Sequence, residues 1–248
     1  MLAAVALLTF GMVSCDKDDE SNSNNDNTST TGGGNNPGTD PDTTSGEWVD
    51  LGLPSGLLWA TCNLGATSPE EYGDYFAWGE TQSKEVYAWN TYCFATVDEY
   101  GHPQTLAKYN ISESWGTVDN LTTLEAGDDV ATQVLGNGAR IPTKAEWQEL
   151  LDNTTAECAT VNDVFGRKYT ASNGNSLFLP ATGYRYESNT YGDGSYGYYW
   201  TSSLYTYTVS VDLHPNMAYM MNFNYTSQGV DEGYARFHGL SVRAVRQN

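Results

Sequence analysis

Basic residues are scarce in this chain of 248 residues, which has 11 Lys and Arg against 31 Asp and Glu. The resulting formal charge of −20 creates a long-range field that repels nucleic-acid phosphates and anionic membrane surfaces. We therefore expect no nucleic-acid partner.

Residue patterns typical of zinc sites and of nucleophilic serine sites are also missing. His102, His214 and His238 occur singly, without a partner at i+4 or a nearby cysteine, so no zinc site is expected. Ser202 and Ser203 lack the Gly-x-Ser-x-Gly turn of many serine hydrolases. The residues thus give no positive signal for hydrolase chemistry.

Calcium is the one cofactor that the sequence leaves open. Asp128-Asp129 and the loop Gly192-Asp193-Gly194-Ser195 offer oxygen atoms, and Ca²⁺ prefers six to eight oxygen ligands. Neither segment has EF-hand spacing, and solvated turn residues are the alternative interpretation. No cofactor is therefore predicted, with calcium kept as the alternative.

A hydrophobic run long enough to cross a membrane is absent. Leu2 to Phe10 is apolar over about nine residues, too few for ~30 Å of hydrocarbon, and small residues and Cys15 follow it. We expect residues 1–14 to be a cleaved signal peptide.

The segment around Cys15 indicates a lipid anchor. Gly11-Met12-Val13-Ser14-Cys15 resembles a bacterial lipobox, which implies that Cys15 is acylated. Asp16-Lys17-Asp18-Asp19-Glu20 resembles the acidic export signal of Bacteroidota-type lipoproteins, although a solvated charge run is the alternative. These resemblances imply an outer-membrane lipoprotein that faces outward and contacts the membrane only through its lipid.

A polar spacer precedes the globular part. Ser21 to Gly46 is almost entirely Ser, Asn, Asp, Thr, Gly and Pro, and such a segment cannot bury enough apolar surface to offset its ordering entropy. Residues 15–46 are therefore predicted to be a disordered tether. One domain, residues 47–248, follows.

Local signals within this domain predict two helices and a short helical turn. Thr143 to Glu146 forms a capping box, and Trp147, Leu150 and Leu151 follow at core-facing helical spacing. Asp128 to Leu135 is predicted as a second helix that stops at Gly136. Ser68 to Glu71 combines an N-cap serine with a first-turn proline, which predicts the short turn.

Strands are predicted from apolar segments between turn residues. They are Gly56 to Asn63, Lys168 to Ala171, Ser176 to Pro180, Gly197 to Leu204, Ala218 to Asn224, and Leu240 to Arg246. Helices followed by many strands indicate an α+β domain with a mainly antiparallel twisted sheet and long irregular loops. We expect Trp59, Trp78, Trp147 and Trp200 to be core residues because each lies in an apolar pattern.

Several motifs, in a shared order, resemble one family. They are Val49 to Ala66, Glu71 to Glu80, Arg140 to Trp147, Phe178 to Arg185, Tyr199 to Ser203, and Leu240 to Arg243. Together they resemble the Fibrobacter succinogenes major paralogous domain of Bacteroidota surface lipoproteins. That family in turn resembles the C-type-lectin-like fold, which implies that the first and last strands of the domain pair. Because the fold hosts both binding proteins and enzymes, it does not decide function.

The formylglycine-generating oxidases belong to the same fold branch, and their Arg-Leu-Pro-Thr-Glu-Ala-Glu-Trp motif is similar to Arg140 to Trp147. Those enzymes use a late, copper-bound cysteine pair, whereas no cysteine follows Cys158 here. This absence disfavours the oxidase chemistry, which needs thiolates as ligands and reactants.

Three cysteines remain in the domain: Cys62, Cys93 and Cys158. In an oxidising compartment we expect two of them to form a disulfide and the third to be buried or reactive. The sequence does not decide the pairing, and Cys62 with Cys158 is our choice.

Tyrosine density is the strongest remaining signal, since ten of the 18 tyrosines lie between Tyr184 and Tyr225. Tyrosine among Gly, Ser and Asn is typical of recognition loops, because its ring offers large contact area at low entropy cost. The alternative is that Tyr198, Tyr199 and Trp200 are core strand residues. The predicted ligand-binding residues are those near turns: Tyr186, Tyr191, Tyr196, Tyr205 and Tyr207.

The sequence therefore predicts a non-catalytic, surface-displayed recognition module that binds an extracellular glycan or protein. A structural lipoprotein, such as a fimbrial or envelope accessory, is the first alternative. An enzyme related to the formylglycine-generating oxidases is the second.

Overall fold

The computed structural model describes residues 47–207 and 213–248. The predicted signal peptide, lipidated Cys15 and tether lie outside the described residues. Within them the fold is α+β, with two α-helices and mostly antiparallel strands. The helices are α1 Val130–Leu135 and α2 Lys144–Asn153, and three short 3-10 helices accompany them.

Fourteen strands are present in the described part of the chain. They are β1 Trp48–Asp50, β2 Leu57–Ala60, β3 Ala95–Val97, β4 Pro103–Leu106, β5 Thr154–Val161, β6 Val164–Ala171, β7 Ser176–Pro180, β8 Tyr184–Tyr186, β9 Asn189–Tyr191, β10 Gly197–Leu204, β11 Met217–Phe223, β12 Gln228–Gly229, β13 Gly233–Ala235 and β14 Val245–Gln247.

The two ends of the domain meet in one three-stranded sheet, in the order β1-β2-β14. Val245 lies opposite Trp59 in the antiparallel register of β14 and β2. The expected pairing of the first and last strands holds for the first strand that the sequence predicted, Gly56 to Asn63, because β2 pairs with β14. Strand β1, which was not predicted, pairs only with β2 and does not contact β14 in the register.

Two further sheets carry most of the remaining strands. One has the order β5-β6-β7, and the other has the order β10-β11-β12 with β13 also paired to β11. β3–β4 and β8–β9 are separate hairpins. The bounds of β7 and β10 agree with the sequence prediction.

Two hydrophobic clusters lie on opposite faces of β10. Tyr199 belongs to the cluster that contains Trp59 and Trp147, whereas Trp200 belongs to the cluster that contains Trp78. This division follows from the alternation of side chains along a strand. All four tryptophans are at most 1% exposed, which confirms the prediction that they are core residues.

Helix α2 begins as the sequence predicted. The Thr143 hydroxyl accepts from the backbone N–H of Glu146, whose carboxylate accepts from the N–H of Thr143. Trp147 and Leu150 are fully buried on the face of α2 that meets the core. Helix α1 ends before Gly136, which was also expected.

The predicted helical turn at Ser68 is wrong. Pro69 and Glu70 form a non-helical turn. The carboxylate of Glu71 accepts from the backbone N–H groups of Thr67 and Ser68, and the N–H of Glu71 donates to the carbonyl oxygen of Ser68, so one turn closes but no helix follows it.

The C-terminal strand is shorter than the predicted Leu240 to Arg246. Leu240 and Ser241 make isolated bridges, with Phe76 and Tyr199 respectively, and β14 begins at Val245. Residues 47–207 and 213–248 contain no helix that is long and apolar enough to span a bilayer.

Candidate binding surface

The hairpin β8–β9 presents tyrosines on one face. Tyr184 lies opposite Tyr191 in its register, and Tyr186 lies opposite Asn189. Because residues two apart on a strand share a face, these four side chains point the same way. The rings of Tyr184 and Tyr191 stack with centroids 5.6 Å apart and planes 25° apart.

A second row of stacked rings adjoins this hairpin. Tyr196 stacks on Tyr198 at 5.9 Å, and Tyr198 stacks on Tyr234 at 5.8 Å. Tyr184 meets both Tyr198 and Tyr234 edge to face, at 5.6 Å and 5.2 Å. The two rows therefore form one continuous set of rings.

We call this set the tyrosine surface. It consists of Tyr184, Tyr186, Tyr191, Tyr196, Tyr198, Tyr234 and His238. Tyr186, Tyr191 and Tyr196 are its exposed members, at 38%, 43% and 42% of their possible exposure. The other four are half-buried and hold the exposed rings in place.

His238 lies among the rings of Tyr184, Tyr186 and Tyr234, with centroids 5.5, 5.5 and 4.5 Å away. Burial lowers the pKa of His238 to about 4, so the ring is neutral at neutral pH. Its Nδ1 lies 3.1 Å from the carbonyl oxygen of Ala235, to which the neutral Nδ1–H tautomer donates. In this tautomer Nε2 is an acceptor.

Backbone contacts fix the hairpin β8–β9 on the domain. The N–H of Arg185 donates to Gly239 at 2.7 Å, and the N–H of Glu187 donates to Tyr87 at 2.8 Å. This approach requires glycine at position 239, because a Cβ there would lie 2.7 Å from the Tyr87 ring and 2.9 Å from Cβ of Arg185. The tyrosine surface thus rests on an anchored hairpin.

The structure divides the five tyrosines that the sequence predicted as ligand-binding. Tyr186, Tyr191 and Tyr196 come together in the tyrosine surface. Tyr205 and Tyr207 belong to a second group, in which Tyr205 packs on Tyr219 with centroids 4.8 Å apart.

Lys144 contributes a positive charge to this second group. Its Nζ lies 4.0 Å from the centroid of the Tyr219 ring and 2.8 Å from the carboxylate of Asp231. The group therefore combines aromatic rings with an ion pair, unlike the tyrosine surface.

Sequence reasoning missed four members of the tyrosine surface: Tyr184, Tyr198, Tyr234 and His238. Tyr184 shares a strand face with the predicted Tyr186, since the two are two residues apart on β8. Tyr198 alternates with the buried Tyr199 on β10, and that alternation is the signal that could have assigned it to the other face. Tyr234 and His238 come from a distant segment, and only the pairing of β13 with β11 brings them here.

The predicted disulfide is absent from the structure: Cys62, Cys93 and Cys158 are free cysteines. Cys158 lies exposed on β5, with its Sγ 3.4 Å from the carbonyl oxygen of Tyr225. Cys62 lies after β2, in an apolar cleft that Trp48 and Leu135 also line. The prediction that Cys62 pairs with Cys158 is therefore corrected.

The acids that suggested calcium bind protein donors instead. Asp128 accepts from the Lys108 ammonium and the Tyr109 hydroxyl. Each carboxylate oxygen of Asp129 accepts a backbone N–H, from Thr132 and from Ile141, and Asp129 is the N-cap of α1.

These contacts give Asp128 and Asp129 structural roles. The other candidate, Asp193, is exposed in its loop. In the part of the chain that the structure describes, no three His, Cys, Asp or Glu side chains are grouped to hold a metal ion.

Residues 151–245 match a family model described as a domain of unknown function (DUF8237). The matched segment contains every residue of the tyrosine surface, together with strand β5. No curated protein and no solved structure matches the chain.

Proposed function

We propose that this protein is a non-catalytic recognition lipoprotein that binds an extracellular glycan or protein through the tyrosine surface. The observation that carries the proposal is the convergence of Tyr186, Tyr191 and Tyr196 into one exposed set of rings. The first two come from the β8–β9 hairpin, and Tyr196 follows the turn after it.

The packing of these rings favours binding. Tyr191 stacks on Tyr184, and Tyr196 stacks on Tyr198, so the exposed rings are already ordered before a partner arrives. Ordering before association lowers the entropy cost of binding. Each ring also offers an apolar face and a hydroxyl, which suit sugars and protein side chains alike.

The neutral state of His238 fits an uncharged or weakly charged partner. With its pKa lowered to about 4 by burial, the ring adds an acceptor but no positive charge to the surface. A strongly acidic partner would gain no attraction from this histidine and would meet the overall negative charge of the chain.

The resemblance to the Fibrobacter succinogenes major paralogous domain supports the same assignment, and we include a C-type-lectin-like topology in the proposal. The α+β fold and the shared sheet of β2 and β14 agree with it at a coarse level.

The proposed cellular place is the outer face of the outer membrane, reached through an acylated Cys15. Palmitate labelling and protease treatment of intact cells test it. Wild type should be labelled and cleaved, whereas Cys15→Ser should not be labelled. A labelled Cys15→Ser protein, or full protection of wild type from the protease, would contradict the anchor.

Binding is tested on a glycan array and in a pull-down of surface proteins, which separate the two partner classes. The triple variant Tyr186→Ala/Tyr191→Ala/Tyr196→Ala should bind at least about ten-fold more weakly, because each ring contributes about 0.5–1.5 kcal/mol. Undiminished binding would place the site elsewhere.

A matched control uses two tyrosines outside the surface. Tyr100 and Tyr225 are 75% and 73% exposed. Tyr100→Ala/Tyr225→Ala should bind like wild type, and a loss equal to that of the triple variant would mean that exposed tyrosines act without a defined site. A separate Tyr205→Ala/Tyr207→Ala variant reports whether the second aromatic group also contacts the partner.

A further inference from the structure

Strand β5 is a long, unpaired edge. It pairs with β6 in an unbroken register from Thr154 opposite Ala171 to Val161 opposite Val164. Asn162 and Asp163 both have positive φ, at 47° and 65°, and form the tight hairpin turn between the strands. No strand of the described residues pairs with the other side of β5.

This edge lacks the features that usually protect one. Proteins block exposed edges with prolines, lysines, bulges or very short strands. β5 has eight residues, no proline, no lysine and no break in its register, and Glu157 is its one charge. Four of its residues are exposed: Thr155, Glu157, Cys158 and Thr160. The strand is therefore a template for an added strand.

We propose that β5 pairs antiparallel with β5 of a second copy of this chain, about a two-fold axis at Cys158. A two-fold interface uses the same segment from both copies, so the segment must be complementary to itself. With this axis, Cys158 faces Cys158 of the other copy and Glu157 faces Ala159.

The position of the axis follows from charge and from the cysteine. An axis at Glu157 would place two carboxylates directly opposite each other, which is destabilising. The axis at Cys158 avoids this contact. Opposed residues of antiparallel strands have Cα atoms about 4.5–5.5 Å apart, a separation that a disulfide can bridge.

The formal charge of −20 opposes association of two copies. At physiological ionic strength, however, exposed charges are screened beyond about 8 Å, while the backbone hydrogen bonds of paired strands act at contact. The dimer should therefore be weak and should strengthen with salt. It needs no partner for the tyrosine surface, so it does not depend on the proposed function.

The first test is cross-linking of the full chain, with Cys15→Ser in every variant to remove that thiol. Oxidised glutathione is the oxidant. One S–S bond forms between two Cys158 sulfurs, and the two thiol protons and two electrons pass to the glutathione disulfide, which leaves as two thiols. On a non-reducing gel, a dimer should form without further substitution and with Cys93→Ser, the matched exposed cysteine, but not with Cys158→Ser.

The second test needs no oxidant and checks the register. Ala159→Lys places a lysine opposite Glu157 of the other copy, whereas Ala159→Glu places a glutamate there. Because the dimer is two-fold symmetric, each of these contacts occurs twice. In sedimentation equilibrium the lysine variant should dimerise several-fold more tightly than the glutamate variant. Circular dichroism and melting curves establish that both remain folded.

Three results would overturn the proposal. They are a monomer at all concentrations and salt levels, cross-linking that survives Cys158→Ser, and equal dimerisation of the two Ala159 variants. The first would leave the β5 edge free for a strand from a different protein.

Discussion

The ring of Tyr198 stacks on the ring of Tyr234 across strand β11, with centroids 5.8 Å apart and planes 16° apart. Tyr198 lies on β10 and Tyr234 on β13, and both strands pair with β11. The contact therefore joins the tyrosine surface to the sheet of β10, β11 and β13, and β10 is the strand that has a hydrophobic cluster on each face.

A double-mutant cycle measures this contact. Tyr198→Ala and Tyr234→Ala should each destabilise the domain, and the double variant should lose about 0.5–1.5 kcal/mol less than the sum, because the stacking energy is lost only once. Urea unfolding gives the free energies. As a control, Tyr198→Ala combined with the exposed Tyr100→Ala should be additive, and additivity in the first pair would contradict the stacking.

Truncation of the core tryptophans should destabilise the domain strongly. Trp59, Trp78, Trp147 and Trp200 are at most 1% exposed, and Trp→Ala at such sites costs about 3–5 kcal/mol, enough to unfold a marginal domain. Each variant should melt at a much lower temperature than wild type. Tyr100→Ala, at 75% exposure, should change stability by less than about 0.5 kcal/mol. A Trp→Ala variant that melts at the wild-type temperature would contradict the buried position of that tryptophan.

Local signals explain what the sequence could predict. The capping box of Thr143 and Glu146 fixes the start of α2 within four residues, and the tryptophans lie in strong apolar patterns. Strand β5 was missed because Val161 is the one large apolar residue between Thr154 and Val161, and its structure comes from pairing with β6.

The candidate site was predicted only in part, for a similar reason. Turns place Tyr186, Tyr191 and Tyr196 near the surface, and the sequence shows those turns. Which tyrosines share a surface depends on strand neighbours that are far apart in the chain, so neither the inclusion of Tyr234 nor the separation of Tyr205 could be predicted.

Arg243 gives a third prediction. It is fully buried, and its Nε donates to Asn63 Oδ1 at 2.9 Å. Its Nη1 donates to the carbonyl oxygens of Ala60 and Thr61, at 3.1 and 2.7 Å. Burial lowers the pKa of Arg243 to about 10, yet the side chain stays protonated at neutral pH.

Replacement of Arg243 should therefore be costly. Arg243→Met leaves two buried acceptors, Asn63 Oδ1 and the Ala60 carbonyl oxygen, without this donor, at about 1–3 kcal/mol each. We therefore expect a loss of at least about 2 kcal/mol in urea unfolding. Lysine is a single point charge and cannot reproduce the planar donor array, so Arg243→Lys should recover only part of the loss. Lys168→Met, at a surface lysine, is the control. Full stability of Arg243→Lys would show that charge alone is required.

The final prediction concerns pH and His238. The pKa of this histidine falls from 6.5 to about 4 in the folded domain because burial disfavours the charged ring. Between these values the unfolded chain binds more protons than the folded domain, so stability rises with pH in this window. The contribution of neutral His238 is fully present above about pH 6.5 and is lost as the pH falls towards 4.

His238→Gln isolates this effect from the titration of carboxylates, because glutamine fits a similar space and does not titrate. The difference in unfolding free energy between wild type and His238→Gln should shrink steadily from pH 7 to pH 4. Tyr184, Tyr186 and Tyr234 surround His238, so protonation should also loosen the tyrosine surface, and partner binding should weaken over the same interval in wild type. A pH-independent difference between wild type and His238→Gln would mean that the folded domain does not hold the ring in its neutral form.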